Sequence, residues 1–511
     1  VKNHQFLRIF LLSSLILMVV QFGSAGSTDT TFVKASGTQL MLSGKPYYAI
    51  GANCYYLQNL AAYGDTAHLI EALQSARALG ITTIRTWGFY DGDDTLDHAV
   101  IQYGAGKIHE RGLRSLDYVI AKAKEYSMHL ILPLVNNWED YGGMNRYVEW
   151  LSELNPSTQK TVSPASQQIV YGAEERSYRV RVTSSLTHDD FYLNDTIKQW
   201  YKNYIQTILT RTNTITNIAY KEDPTILAWE VANEPRSSDP SGNSVLQWMD
   251  EISSFIKSLD NHHLVSSGEE GFDITTAGYT SLSAYNNQTW MFNGTAGTSF
   301  SKNISLPSID LGSIHCYPSA WHLPSQSAVT WLKDHKTIAA NVKKPLLYGE
   351  LGSRQAPALL YKAVMNEIFY QNTAGVLFWQ LIYPGRPDND GYGFSCPSNQ
   401  HICPSLAQYT YRFEQKRNGI ISTPSSVRLY QNYPNPFNIS TIIPYDMTSE
   451  SYVTIEIFNQ LGELIDVVVK NNEPAGYHEM IWSPNNLASG EYFIRLNTSG
   501  NKLVRKVVLM K

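Results

Sequence analysis

Cysteine is scarce in this chain, charge is sparse, and no long apolar run interrupts its body. Four cysteines among 511 residues are too few for a disulfide scaffold, and no cysteine–histidine cluster has zinc spacing. No metal or cofactor is therefore expected. Charged residues make up 17% of the chain and its net charge is −5, which leaves no basic surface for a polyanion, so no nucleic acid partner is expected. Past the N-terminal segment nothing is long and apolar enough to span a bilayer.

What is present points to an exported, multidomain protein. Lys2, His4 and Arg8 precede an apolar run over 9–20, and Gly23 and Ala25 follow it. This is the pattern of a signal peptide over 1–25, with an uncleaved anchor as the alternative. Cys396 and Cys403 flank a polar, proline-containing loop and are placed to close a small disulfide in an oxidising compartment. Cys54 and Cys316 lie in apolar runs and read as buried free thiols. Aromatic residues are abundant, with 33 Tyr and 11 Trp, serving either a large core or sugar-stacking platforms.

Apolar, strand-like runs fall at 47–57, 82–89, 129–136, 225–233, 264–268, 310–317, 345–350 and 375–382. Helical periodicity appears between most of them, at 67–79, 111–126, 195–211, 245–259, 327–341 and 358–370, and is least clear after the fifth run. Eight strands alternating with helices predict a parallel (β/α)8 TIM barrel over 26–420. The polar stretch 151–187 has no periodicity and would follow the third strand. Thr423-Pro-Ser-Ser426 reads as a linker, taken as 421–428, and short alternating segments over 429–511 predict a small all-β sandwich.

The chemistry is carried by strand ends. Ile226-Leu-Ala-Trp-Glu-Val-Ala-Asn-Glu-Pro-Arg236 reads as a buried strand that ends on Asn233 and Glu234. Lys344-Pro-Leu-Leu-Tyr-Gly-Glu-Leu-Gly352 places Glu350 in the same way. Carboxylates are costly to hide, and a pair at the ends of two different strands suits glycoside hydrolysis, which needs one acid and one nucleophile or base. Arg85, Asn136, His315 and Trp379 also fall at strand ends, where a barrel gathers its site. Other Asp and Glu residues read mostly as solvated helix faces, and Asp388-Asn-Asp390 as a loop.

Ile84-Arg-Thr-Trp-Gly-Phe89, Leu134-Val-Asn-Asn-Trp-Glu-Asp-Tyr-Gly-Gly143, His188-Asp-Asp-Phe-Tyr192, Ile314-His-Cys-Tyr-Pro318 and Phe378-Trp-Gln380, with the two glutamate runs, come in one order along the barrel. Together they resemble glycoside hydrolase family 5, and within it the endo-β-1,4-mannanases. The resemblance implies Glu234 as general acid/base and Glu350 as nucleophile of a retaining reaction, with Arg85 and Tyr317 holding Glu350 and His315 beside Glu234. It implies that Asn233 meets the sugar 2-hydroxyl, that Trp379 stacks under a sugar ring, and that Trp138 and Arg236 contact substrate. For Arg236 a structural ion pair is the alternative, for His315 and Trp379 a core role. Asn136 is expected to line the site.

The implied substrate is a β-mannan: mannan, glucomannan or galactomannan. The alternatives are a β-1,4-glucanase or glucomannanase of the same family, or a non-catalytic surface glycan-binding protein. Leu429-Tyr-Gln-Asn-Tyr-Pro-Asn-Pro-Phe437, Leu487-Ala-Ser-Gly-Glu-Tyr492 and a basic C-terminus resemble a type A sorting domain of the type IX secretion system. This implies that machinery as a partner and a secreted or cell-surface location.

Overall fold

The computed structural model describes residues 31–93, 97–154, 186–354, 357–396, 398–399, 402–419, 426–432, 435–438, 440–473, 475–484 and 487–510. The expected signal peptide, most of the 151–187 stretch and most of the expected linker lie outside them.

Eight parallel strands form the centre: β1 (Ala49–Asn53), β2 (Thr83–Arg85), β3 (His129–Pro133), β4 (Ile226–Glu230), β5 (Leu264–Ser266), β6 (Gly312–Cys316), β7 (Leu346–Leu351) and β8 (Gly375–Phe378). Their order is β5-β4-β3-β2-β1-β8-β7-β6, and a parallel bridge between Ser266 and Leu311 brings the two edges together. All eight expected strands are present. Each is short and buried along nearly its whole length, as strands covered on both faces must be. A three-stranded antiparallel meander over residues 34–47 precedes β1.

Helices wrap the barrel: α1 (Thr66–Ala78), α2 (Glu110–Glu125), α3 (Asp195–Thr210), α4 (Asn243–Leu259), α5 (Ser327–Asn341), α6 (Pro357–Gln371) and α7 (Cys403–Arg417). Asn194 caps α3 by accepting from the backbone N–H groups of Thr196 and Ile197. Each helix turns an apolar stripe inward; α4, for instance, buries Val245, Trp248, Met249, Ile252 and Ile256. After β5 the pattern breaks. Two 3-10 turns, Leu282–Tyr285 and Thr289–Phe292, and the four-residue helix Phe300–Asn303 stand in place of a long helix. Cys396 and Cys403 are disulfide-bonded, while Cys54 and Cys316 are buried and free.

The C-terminal strands are β9 (Arg428–Leu429), β10 (Thr441–Met447), β11 (Ser451–Phe458), β12 (Leu464–Glu473), β13 (Gly476–Trp482), β14 (Gly490–Asn497) and β15 (Lys502–Leu509). They form a β9-β10-β13 sheet and a β12-β11-β14-β15 sheet, antiparallel throughout. Alternate residues of β11 (Val453, Ile455, Ile457) and β14 (Tyr492, Ile494, Leu496) point inward with Trp482 and form a core separate from the barrel's. The sandwich meets α6 and α7 through a Lys362–Glu479 ion pair, a Tyr370–His478 ring stack and Arg412 over the Tyr477 ring.

Candidate active site

The C-terminal mouth of the barrel holds a cavity of about 460 Å³ lined, among others, by Asn136, Trp138, Asn233, Glu234, Arg236, Tyr317, Glu350 and Trp379. Arg85 and His315 lie just beneath this lining and reach it through hydrogen bonds. The expected site residues are thus brought together from six of the eight strands, where a parallel barrel exposes its functional groups.

Glu350 sits near the end of β7 and is 3% exposed. It accepts from Arg85 Nη1 at 2.6 Å and from the Tyr317 hydroxyl. Burial raises its carboxyl above the ordinary range, while His315, Arg85 and Tyr317 pull it back toward the ionised form. Glu234 lies on the turn after β4 with a backbone φ of +52°, and its N–H donates to the carbonyl of Gly268. Gly268 has φ +69° and only glycine fits there, since a Cβ would lie 1.8 Å from the Ala232 carbonyl oxygen.

Glu234 accepts from the Trp138 indole N–H at 2.5 Å and bonds His315 Nδ1 at 2.7 Å. The same nitrogen is 3.7 Å from Glu350. One oxygen of each carboxylate and one His315 nitrogen lie within 4.8 Å of one another. Burial works against a charged His315, but the Glu350 and Glu234 carboxylates outweigh it and hold the imidazole above its usual range.

Beneath this pair lies a second layer. Glu230, the last residue of β4, is fully buried and accepts from Arg85 Nε at 2.9 Å and from Nη2. Arg85 also donates to Asn53 at 3.1 Å and Asn233 at 2.6 Å. The Asn233 amide donates to Asn136 Oδ1 at 2.9 Å. Arg236 makes a two-point pair with Glu270 at 2.6 Å for each bond, and its guanidinium lies over the rings of Trp138 and Phe272. It lines the cavity as well, so ion pairing and facing the cleft are not exclusive. Trp379 stacks beside Tyr55 with ring centroids 5.4 Å apart.

The remaining acidic residues are expected to be mostly solvated helix faces, and several depart from that. Glu230, Glu269, Glu270 and Asp273 are each at most 5% exposed. Burial pushes Glu269 and Glu270 to about 7, against hydrogen bonds from Asn303 and Thr298 to the first and the charge of Arg236 on the second. Asp390 lies in a loop, as expected, and its Oδ2 accepts from Trp379 Nε1 at 2.8 Å and Gln380 Nε2 at 3.0 Å. The residues that sequence reasoning missed, Glu230 and Glu270, each stand at or just past a strand end. That position was the available signal.

A parallel barrel with two facing carboxylates buried in its C-terminal mouth defines the class: a glycoside hydrolase. The chain belongs to the GH family 5 beta-mannosidase-like family, whose model matches residues 30–377. Residues 431–510 match the model of a secretion system C-terminal sorting domain, which marks the chain for export.

Among its relatives are mannan endo-1,4-beta-mannosidase 3 of Arabidopsis thaliana and mannan endo-1,4-beta-mannosidase 1 of Oryza sativa subsp. japonica. Each is 35% identical over 71% of this chain, covering 84% and 81% of their own lengths. The endo-β-1,4-mannanase of Thermotoga petrophila superposes with a TM-score of 0.65 at 27% identity, over 92% of this chain and 99% of its own. The endo-1,4-β-mannanase of Rhizomucor miehei gives 0.62 at 31%, over 75% and 99%.

Proposed function

We propose that the barrel hydrolyses internal β-1,4-mannosidic bonds of mannan, glucomannan or galactomannan with retention of configuration. The observation that carries this is the closeness of the two carboxylates, in a chain whose relatives are named mannan endo-1,4-β-mannosidases. Retaining pairs stand about 5–5.5 Å apart and inverting pairs about 6.5–9.5 Å, because only the latter leave room for water between carboxyl and sugar.

The surroundings divide the roles. Two like charges this close favour sharing one proton. Glu350 receives a guanidinium and a phenol O–H, both of which stabilise an anion. Glu234 receives an indole N–H and shares His315 with Glu350, so the guanidinium, which only Glu350 receives directly, makes the difference. Negative charge therefore resides on Glu350 and the proton on Glu234.

Glu350 attacks the anomeric carbon while Glu234 gives its proton to the departing glycosidic oxygen. The C–O bond breaks and a glycosyl ester forms on Glu350. Glu234, now a carboxylate, deprotonates a water that attacks the same carbon and frees Glu350. Asn233, held by Arg85 and Asn136, faces the sugar beside the cleavage point, and Trp379 supplies an aromatic wall. Trp138 and Arg236 flank the other side of the acid/base. The C-terminal domain directs export by type IX secretion to the cell surface or the medium.

Incubation with linear β-1,4-mannan, glucomannan and soluble cellulose tests this. Short manno-oligosaccharides from mannan, abolished in Glu234→Ala and Glu350→Ala, are the expected result. Release from cellulose alone would move the substrate to β-1,4-glucan, and release from none would leave a glycan-binding protein.

A further inference from the structure

The His188-Asp189 pair has no part in the chemistry above, yet it touches the turn that carries Glu234 at two points. His188 Nε2 lies 3.0 Å from Asn137 Oδ1, and His188 Nδ1 lies 2.8 Å from the side chain of Asn145. Asn137 grips the acid/base turn from both sides. Its backbone N–H donates to the Asn233 carbonyl, and its Oδ1 accepts from the Arg236 N–H at 3.2 Å. Glu234 stands between those two points. Two residues further on, the Asp189 carboxylate accepts from the Ser238 N–H at 3.1 and 3.0 Å and from the Ser238 hydroxyl.

The hydrogen-bond chemistry fixes how this works. The Arg236 N–H identifies the facing Asn137 atom as oxygen, so His188 Nε2 must carry a proton and donate to it. Burial holds the imidazole below its usual range, against the nearby Asp189 carboxylate. The ring is then neutral and Nδ1 is an acceptor. The Asn145 atom placed against Nδ1 is Oδ1, which leaves its buried NH2 group without a bond; turning the amide over gives Nδ1 a donor and the NH2 group a partner. A left-handed backbone at a side-chain-bearing residue persists only when its surroundings hold it. Asn137 on one flank and Gly268 on the other do so for Glu234.

We propose that His188 is a positioning residue for the acid/base, acting through Asn137 to fix the 233–236 turn and hence the direction in which Glu234 delivers its proton. This rests on the role given to Glu234 above. The test compares kcat/KM on two substrates, mannopentaose and 2,4-dinitrophenyl β-mannobioside. The first has a poor leaving group that needs the acid, whereas the second has a leaving group that departs unprotonated.

His188→Ala is expected to lose about tenfold or more on mannopentaose, since small misplacements of reacting groups cost on that order, with little change on the aryl substrate. His188→Gln, whose amide nitrogen reaches Asn137, is expected to restore most of the loss. His188→Asn, one methylene shorter, is expected not to, and this pair carries the test if His188→Ala does not fold. Equal losses on both substrates, no loss on either, or Gln no better than Asn would overturn the assignment. Failure of the unaltered protein to cleave mannopentaose would instead overturn the role of Glu234 itself, and this inference with it.

Discussion

Removing Arg85 and then its partner separates what holds the barrel together from what makes it work. Arg85 is fully buried and donates to Glu230, Glu350, Asn53 and Asn233. Arg85→Met leaves Glu230 as a buried carboxylate without its cation, and breaking a buried pair in this way costs about 3–5 kcal/mol. Glu230→Gln alone leaves Arg85 paired with Glu350 and forfeits mainly charge-assisted hydrogen bonding, about 1.5–3 kcal/mol. In the double variant no charge is stranded at position 230, so it should be more stable than the sum of the single losses by about 2–4 kcal/mol.

Urea unfolding of the four proteins reads that coupling. Mannan hydrolysis by the same four should not recover in the double variant, because Glu350 still lacks the guanidinium that favours its ionised form. Additive stability losses would refute the reasoning about Glu230. Recovered turnover would refute the assignment of Arg85 to Glu350.

Tyr317→Phe removes one donor to Glu350, a charge-assisted bond worth about 1.5–3 kcal/mol, or roughly 10- to 150-fold in rate if the transition state loses all of it. An anion with one donor fewer is harder to form, so the acid limb of the kcat/KM profile should move to higher pH; an unmoved limb would count against Tyr317 as a partner of the nucleophile. Glu269 tests burial through stability. Its carboxyl ionises at about 7 when folded and at an ordinary carboxyl value when unfolded, so the folded state holds the proton longer. Stability should then fall as pH rises from roughly 4.5 past 7, by about 3 kcal/mol from this group. Glu269→Gln should be the more stable protein at pH 8 and lose that advantage at pH 4, and thermal melts showing the same difference at both would refute the account.

Much of this was legible in the sequence because periodicity and strand ends are local signals. The eight strands, the flanking helices and the two cores follow from runs of apolar residues at spacings of two and of three to four. Glu234 and Glu350 stood out because a charged side chain at the end of an apolar strand demands a reason. The buried Glu230 was harder. Its partner Arg85 is 145 positions away along the chain, and no local pattern distinguishes a carboxylate that faces substrate from one that supports an arginine. Glu269 and Glu270 were hidden for the same reason, as was the hold of Asp390 on Trp379. The absent helix after β5 has a local cause. The stretch 275–305 is rich in Gly, Asn, Ser and Thr, which favour turns and caps over helix interiors.

The left-handed backbone at Glu234 has a consequence for how this protein could be improved. A side-chain-bearing residue in that region carries a penalty on the order of 1–3 kcal/mol, which glycine would largely escape. The residue that backbone strain alone would choose at position 234 is therefore one that cannot donate a proton. A search for heat-resistant variants scored only on survival places no value on Glu234 beyond its bonds to Trp138 and His315, and can discard the catalyst. Selection that retains Glu234 must find its gains elsewhere, in the helices and the outer loops.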